Sequence, residues 1–120
     1  FFASDAVYEV RNSALACRLE GRAAILRGLK KSLDGFDRRL PKRALDVTDG
    51  PHERDDEVSI GWTATYRLPG VEPLILRGRS TVRCRDGLIR ELVDEYPDGM
   101  DAEVAGWLAD HAPGADATYT

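Results

Sequence analysis

The sequence predicts an α+β fold, a cone-shaped, curved antiparallel sheet wrapped around a helix, and three observations carry that prediction. One stretch of helical periodicity comes early in the chain, around Ile25 to Phe36. Three long stretches of two-residue alternation come late, and the turns between them are tight enough to demand antiparallel pairing. Glycines fall inside two of those stretches, at Gly61 and Gly78, where a missing side chain marks a bulge or a sharp bend. Such bends are what a sheet needs to close into a cone.

Length and composition bound the rest. At 120 residues the chain is one domain with a single core, expected over residues 1–110, with 111–120 as a flexible tail because it lacks periodicity and contains Pro113 and Gly114. With 17 Lys+Arg against 21 Asp+Glu the formal charge is -4, which removes the electrostatic footprint that nucleic-acid binding needs. No apolar run reaches the roughly 18 to 20 residues of a membrane span, and the first residues lack a signal-peptide layout, so the expected setting is cytoplasmic, away from the membrane. Cys17 and Cys84 are far apart and form no metal-ligand or disulfide pattern, so both are expected as reduced thiols. No metal-ligand spacing, phosphate loop or nucleophile elbow is present, and no metal or cofactor is expected.

The elements follow in order. Phe1-Phe2-Ala3-Ser4-Asp5 reads as the last turn of a helix, with the preceding N-terminal helix expected to be truncated. Ala6 to Val10 alternates in polarity and is a short strand; Leu15 to Glu20 is a second, ending at Gly21. From Arg22 the period changes. Ile25, Leu29 and Leu33, with Leu26 and Phe36 beside them, form the apolar stripe of a helix of about three turns that stops at Asp34-Gly35. Arg43 to Val47 is the next strand, closed by Thr48-Asp49-Gly50-Pro51, with the charged stretch 52–57 leading onward. Val58, Ile60, Trp62, Ala64 and Tyr66 then share one face of a long strand. After Leu68-Pro69-Gly70, a third run puts Leu74, Leu76, Gly78, Ser80, Val82 and Cys84 on a dry face and Ile75, Arg77, Arg79, Thr81, Arg83 and Arg85 on a wet one. Arg85-Asp86-Gly87 is a hairpin turn, Leu88 to Tyr96 the closing strand, and Asp101 to Ala109 a short terminal helix.

Three segments, in order and spacing, carry a resemblance: residues 2–9 (Phe2-Ala3-Ser4-Asp5-Ala6-Val7-Tyr8-Glu9), residues 20–25 (Glu20-Gly21-Arg22-Ala23-Ala24-Ile25), and Asp86-Gly87-Leu88-Ile89 running on to Asp94-Glu95-Tyr96-Pro97-Asp98. Together they resemble the SnoaL-like branch of the nuclear transport factor 2-like superfamily, over nearly the whole chain. The resemblance implies a cone with an interior pocket, a homodimer formed through the outer sheet face, and cofactor-independent chemistry of the polyketide cyclase, ketosteroid isomerase or limonene epoxide hydrolase kind. Ketosteroid isomerase-like members use an Asp base where this chain carries Val10. Limonene epoxide hydrolase-like members use an Arg-x-Asp on a middle strand, and Ile60-Gly61-Trp62-Thr63-Ala64 has none. The last-strand Asp is kept as Asp94, which the resemblance makes the acid/base candidate.

The residues themselves allow two readings of Asp94. Between Leu92 and Tyr96 on its face, the carboxyl is partly desolvated, with a raised pKa suited to proton transfer near neutral pH. Alternatively it pairs with Arg90 or an arginine of the adjacent strand, or a bulge turns it outward and Glu91 or Glu95 inward. Trp62 and Tyr66 either line a cavity or fill the core, with Leu76 and Leu92 as apolar neighbours on the same faces. Of Tyr8 and Glu9 one alone faces the pocket, with Glu9 expected in solvent. The arginine stripe of the third run is expected to be balanced by Glu91 and Glu95; His52 and His111 have no evident role. The functional expectation is a protein that takes an apolar small molecule, polyketide- or terpenoid-like, with Asp94 as acid/base and Tyr8, Trp62, Tyr66, Leu76 and Leu92 as ligand contacts. The alternative is a non-catalytic binding or dimerisation module whose cavity is filled by its own side chains.

Overall fold

The structure, a computed structural model, describes residues 1–13, 15–40 and 42–120. Its strands are β1 (Phe2–Arg11), β2 (Cys17–Glu20), β3 (Arg43–Arg54), β4 (Glu57–Tyr66), β5 (Leu74–Arg85) and β6 (Leu88–Glu95); its helices are α1 (Arg22–Gly35) and α2 (Met100–His111), with one 3₁₀ turn at Asp37–Arg39. The six strands form one curved sheet in the order β2-β1-β6-β5-β4-β3, an α+β cone. Phe2 to Asp5 is strand, not the end of a helix.

The sheet is mixed rather than wholly antiparallel. The tight hairpins β3–β4 and β5–β6 are antiparallel as expected, but β1 runs parallel to β6, with Tyr8 opposite Leu92 and Val10 opposite Asp94. Hairpin geometry constrains only consecutive strands; the first and last strands meet through the whole intervening chain and are free of that constraint. The Arg85–Leu88 hairpin turns through Asp86 (φ 53°) and Gly87 (φ 76°), the two positive-φ positions that a two-residue turn needs.

The turn expected at Thr48-Asp49-Gly50-Pro51 is instead a break in register within β3, between Val47 and His52, and the strand runs on to Arg54. As the sheet's outer strand, β3 tolerates a proline that donates no hydrogen bond. Gly61 lies opposite Asp49 at this irregularity. Gly78 has a different role from the bend expected of it, because the β4–β5 register is unbroken there. It sits opposite Trp62, and a Cβ at Gly78 would stand 2.6 Å from the indole ring. The empty position is the seat of that ring.

Helix α1 packs against β1 and β2, but its buried face is rotated from the leucine stripe. Ile25, Gly28 and Ser32 are buried, Leu29 is half-buried, and Leu26 and Leu33 are exposed. The cause is the C-terminal segment. Residues 112–120 have no regular secondary structure, yet in place of a free tail they lie packed on α1. The Asp116 amide donates to the Gly35 carbonyl (2.9 Å), the Ser32 hydroxyl donates to the Ala117 carbonyl (3.0 Å), and Arg39 donates to the Gly114 carbonyl (2.6 Å). Ala117 is buried, and Tyr119 packs edge-on against Tyr8 with ring centroids 5.5 Å apart. The core that results is centred on Tyr8, Val10, Ile25, Leu40 and Met100. Helix α2, one residue longer at its start and two at its end than expected, packs on β5 through Met100 and Val104.

Two glycine substitutions separate these effects. Gly78→Ala pushes a methyl into the Trp62 indole and is expected to destabilise the fold by about 1–3 kcal/mol. Gly106→Ala, in the middle of α2 with open space around it, is expected to stabilise by about 0.5–1 kcal/mol through helix propensity. Urea midpoints shifting in these opposite directions are the check.

Candidate functional site

Asp94 points into the cone. Alternation along β6 puts it on the inner face with Leu92, and the unbroken β4–β5 register brings Trp62 over Ser80. Ser80 lies directly opposite Asp94 across the β5–β6 pair, and its hydroxyl donates to Asp94 Oδ1 at 2.5 Å. From the other side the Tyr8 hydroxyl donates to Asp94 Oδ2 at 2.6 Å, reaching diagonally across the parallel β1–β6 pair. Trp62 Nε1 donates to Ser80 Oγ at 2.9 Å, so donors run in series from indole to hydroxyl to carboxylate. No cation pairs with Asp94 among the described residues; Arg90 pairs with Asp5 at 3.1 Å instead. Neither Glu91 nor Glu95 takes its place, since both sit in the β5–β6 register opposite arginines of the wet face.

The electrostatics follow from that shell. Burial raises the Asp94 carboxyl above its ordinary range, and the hydrogen bonds from Ser80 and Tyr8 pull it part of the way back. Tyr8 is pushed far upward, by its own burial and then by the Asp94 charge, so it stays protonated and remains a donor. The hydroxyls of Tyr96 and Tyr119 are raised as well, burial first. Neutral donors partly offset the burial of this carboxyl without an ion pair, and its affinity for a proton stays above that of a solvated carboxyl.

Asp94 opens onto a cavity of about 370 Å³. Trp62 and Ala64 of β4, Leu76 of β5, Tyr96 and Tyr119 form its inner wall, and Tyr66 stands at the end where Asp37 and Arg43 lie. Leu45 and Val47 of β3, 63% and 58% exposed, form a rim open to solvent. Asp37 accepts from the Tyr66 hydroxyl (2.8 Å) and from Arg43 (2.8 Å), a second polar cluster at the cavity. Trp62 stacks edge-on against Tyr96, centroids 5.9 Å apart, which fixes the indole against the wall.

Of the residues singled out from the sequence, Asp94, Trp62, Tyr66 and Leu76 come together on this cavity. Tyr8 is buried beneath it and touches Asp94 rather than the open space, with Glu9 on the opposite face paired with Arg11 and Arg18. Leu92 is not part of the lining; it is half-buried, opposite Tyr8 and Val82, and packs against the core. Val10, in the position of the ketosteroid isomerase-like base, is buried beside Asp94 and adds no second carboxylate. Ser80, Asp37, Arg43, Tyr96 and Tyr119 were not indicated. Ser80 could have been found from its place on the dry face two residues from Gly78; Tyr119 carried no local signal.

Comparison with known proteins bears on the fold. No family model and no curated protein matches the chain. Among solved structures, an NTF2-like protein of unknown function from Cytophaga hutchinsonii superposes with a TM-score of 0.63 at 12% identity, over 78% of this chain and 77% of that one. The chain has the nuclear transport factor 2-like fold. A hypothetical protein of ketosteroid isomerase-like fold from Catenulispora acidiphila, in complex with trimethylamine, gives 0.61 at 21% identity over 82% and 70%. A candidate polyketide cyclase from Sinorhizobium meliloti gives 0.55 at 24% identity over 78% and 73%. This nuclear transport factor 2-like cone therefore has relatives in shape among both the isomerase-like and the cyclase-like proteins.

The raised Asp94 pKa has a consequence for stability. Below the unfolded-state value the group is neutral in both states and costs nothing; as pH rises through the folded value, the native state must bury a charge that the unfolded chain solvates freely. Asp94→Asn, whose amide can serve both Tyr8 and Ser80, is expected to raise the melting temperature at pH 7 and leave it nearly unchanged at pH 3. Thermal unfolding at the two pH values checks it.

Proposed function

We propose that this protein binds a compact apolar small molecule in the 370 Å³ cavity and moves a proton on it with Asp94 as acid/base, in cofactor-independent isomerase, cyclase or hydrolase chemistry on a polyketide- or terpenoid-like ligand. The observation that carries the reading is a partly buried carboxylate with no cation beside it among the described residues, held at both oxygens by Tyr8 and Ser80 and facing a cavity walled by Trp62, Tyr66 and Leu76. Each Asp94 oxygen accepts one hydrogen bond from the protein and keeps a further lone pair for a ligand. Burial raises its affinity for a proton, as removal of a proton beside a ketone requires. In that step the carboxylate takes the C–H proton, the C–H electrons form a C=C bond and the C=O π electrons move onto oxygen, leaving an enolate; where the ketone is β,γ-unsaturated this is a dienolate, and return of the proton at its γ carbon completes an isomerisation. Tyr66, Asp37 and Arg43, at the cavity's other polar cluster, are the groups available to a ligand oxygen.

The alternative, a module with a self-filled cone, draws support from Tyr119, which occupies part of the interior. The volume left beside Asp94 nonetheless falls within the ~300–1,000 Å³ of ligand pockets, which favours the first reading. Binding of trimethylamine by a protein of the same fold supports a small-molecule role. The reading also takes the protein as cytoplasmic and homodimeric. The twelve-residue outer strand β3, exposed along its length, is a sheet edge that a second copy can cover; light scattering on the purified protein tests that part.

Solvent deuterium exchange into beta-tetralone, a compact aromatic ketone, tests the chemistry. Wild-type protein is expected to accelerate exchange beside the carbonyl, and Asp94→Asn to lower that acceleration by about a hundredfold or more. The rate should climb with pH as Asp94 ionises. Tyr8→Phe removes a bond that lowers the Asp94 pKa, so its profile should rise at higher pH than wild type. Equal exchange with wild type and Asp94→Asn would sink the assignment.

A further inference from the structure

We infer that Tyr119 is the specificity-determining wall of this cavity, dividing it from a second apolar chamber, and that the docked segment 112–120 sets the length of ligand the protein accepts. The inference rests on the cavity being a ligand site but not on Asp94 doing chemistry.

A second chamber of about 200 Å³ lies between α2 and the C-terminal segment, with Met100, Val104, Leu108, Leu15, Ala115 and Ala117 in its lining. Leu76 and Tyr96 line both chambers, so the two lie back to back. Between them is a gap of about 60 Å³ bordered by Ala117 and Tyr119. Leu76 belongs to the sheet and Tyr96 follows β6 directly, whereas Ala117 and Tyr119 belong to a segment with no backbone ladder of its own. The partition is therefore fixed on one side and removable on the other.

What holds the removable side is specific. Gly28, Ser32 and Gly35 follow one another at four- and three-residue spacing on α1, giving the segment a close approach that larger residues would deny. A Cβ at Gly35 would stand 2.4 Å from the Asp116 carbonyl oxygen, and one at Gly28 would stand 3.1 Å from that of Tyr119. Lys31 adds contacts to Asp116 (3.2 Å) and to the Thr118 hydroxyl (2.6 Å). With the backbone seated there, the Tyr119 ring is delivered edge-on to Tyr8, at the boundary of the two chambers. At Gly35 the three nearest atoms all belong to Asp116, whereas Gly28 also makes room for Leu19 of β2, whose Cδ1 would stand 2.5 Å from an added Cβ.

The test is a ladder of alkylbenzenes, from ethylbenzene to hexylbenzene, titrated calorimetrically into the full chain. These probes carry no group for Asp94 to act on. In wild type the gain in affinity with chain length should stop once the alkyl chain meets Tyr119. Tyr119→Ala, which opens the wall, and Gly35→Ala, which unseats the segment while removing no side chain from either chamber, should bind hexylbenzene about tenfold or more tightly than wild type, with ethylbenzene within about twofold. Gly106→Ala, on α2 but outside the lining of both chambers and with open space around its Cα, should behave as wild type. The same hexyl-to-ethyl ratio in all four proteins, or no alkylbenzene bound by any, overturns the inference. A protein that follows the ladder but exchanges no proton in beta-tetralone overturns the acid/base reading alone.

Discussion

The parallel pairing of β1 with β6 is the constraint on which the rest of the molecule depends. It joins the first strand to the last through the whole chain, and it sets Tyr8 one diagonal step from Asp94. An antiparallel neighbour at that edge would not carry the same register. With β5 on its other side supplying Ser80, β6 becomes an interior strand whose inward carboxylate is gripped from both flanks. Burying a carboxylate without such donors costs several kcal/mol, so the strand order is what makes an inward aspartate tolerable at this depth.

The choice of partners matters as much as their number. An arginine would have held the carboxylate more tightly, and would also have driven its pKa down and occupied its free lone pairs. The chain has arginines at hand on β5, but two-residue alternation sends Arg77, Arg79, Arg83 and Arg85 to the opposite face, where Arg77 pairs with Glu103, Arg79 with Asp49, and Arg83 with Asp56 and Glu57. The same alternation that makes one face of β5 wet turns the neutral hydroxyl of Ser80 toward Asp94, while the charged pair Asp37–Arg43 lies at the cavity's other end. Charge on the outside and hydroxyls within are one decision, taken by the period of the strand.

That period is also why so much was legible beforehand. The faces of β4 and β5, the Asp86-Gly87 turn and the inward direction of Asp94 follow from alternation and turn chemistry, which are local properties. What could not be read locally depended on distant partners. Thr48-Asp49-Gly50-Pro51 has the chemistry of a turn, and only its pairing with β4 makes it a bulge. The leucines of α1 have the spacing of a core stripe, yet a segment some eighty residues away claims the small-residue face instead, as the Ser32–Ala117 bond records. Leu92 satisfies every local criterion for a pocket residue, yet it lies opposite Tyr8 and outside the cavity lining. Val10 and Asp94 meet for the same reason.

The C-terminal segment shows how the cone reconciles two conflicting demands. A site that desolvates Asp94 must exclude water from one side of the carboxylate, while a site that takes a ligand must leave space on another. A continuous apolar interior from the rim at Leu45 to the chamber beneath α2 would weaken the first demand, because an unfilled void forfeits dispersion contacts at its lining. A fully packed interior would defeat the second. Tyr119 answers both: its ring packs against Tyr8 inside the cone, and its backbone is seated on α1 beside Gly28. That seat is built from backbone contacts, the buried Ser32–Ala117 bond and a few exposed polar bonds, with no strand pairing of its own. On the proposed reading, variation in this segment changes what the cone accepts while β1, β5 and β6 keep the carboxylate in place.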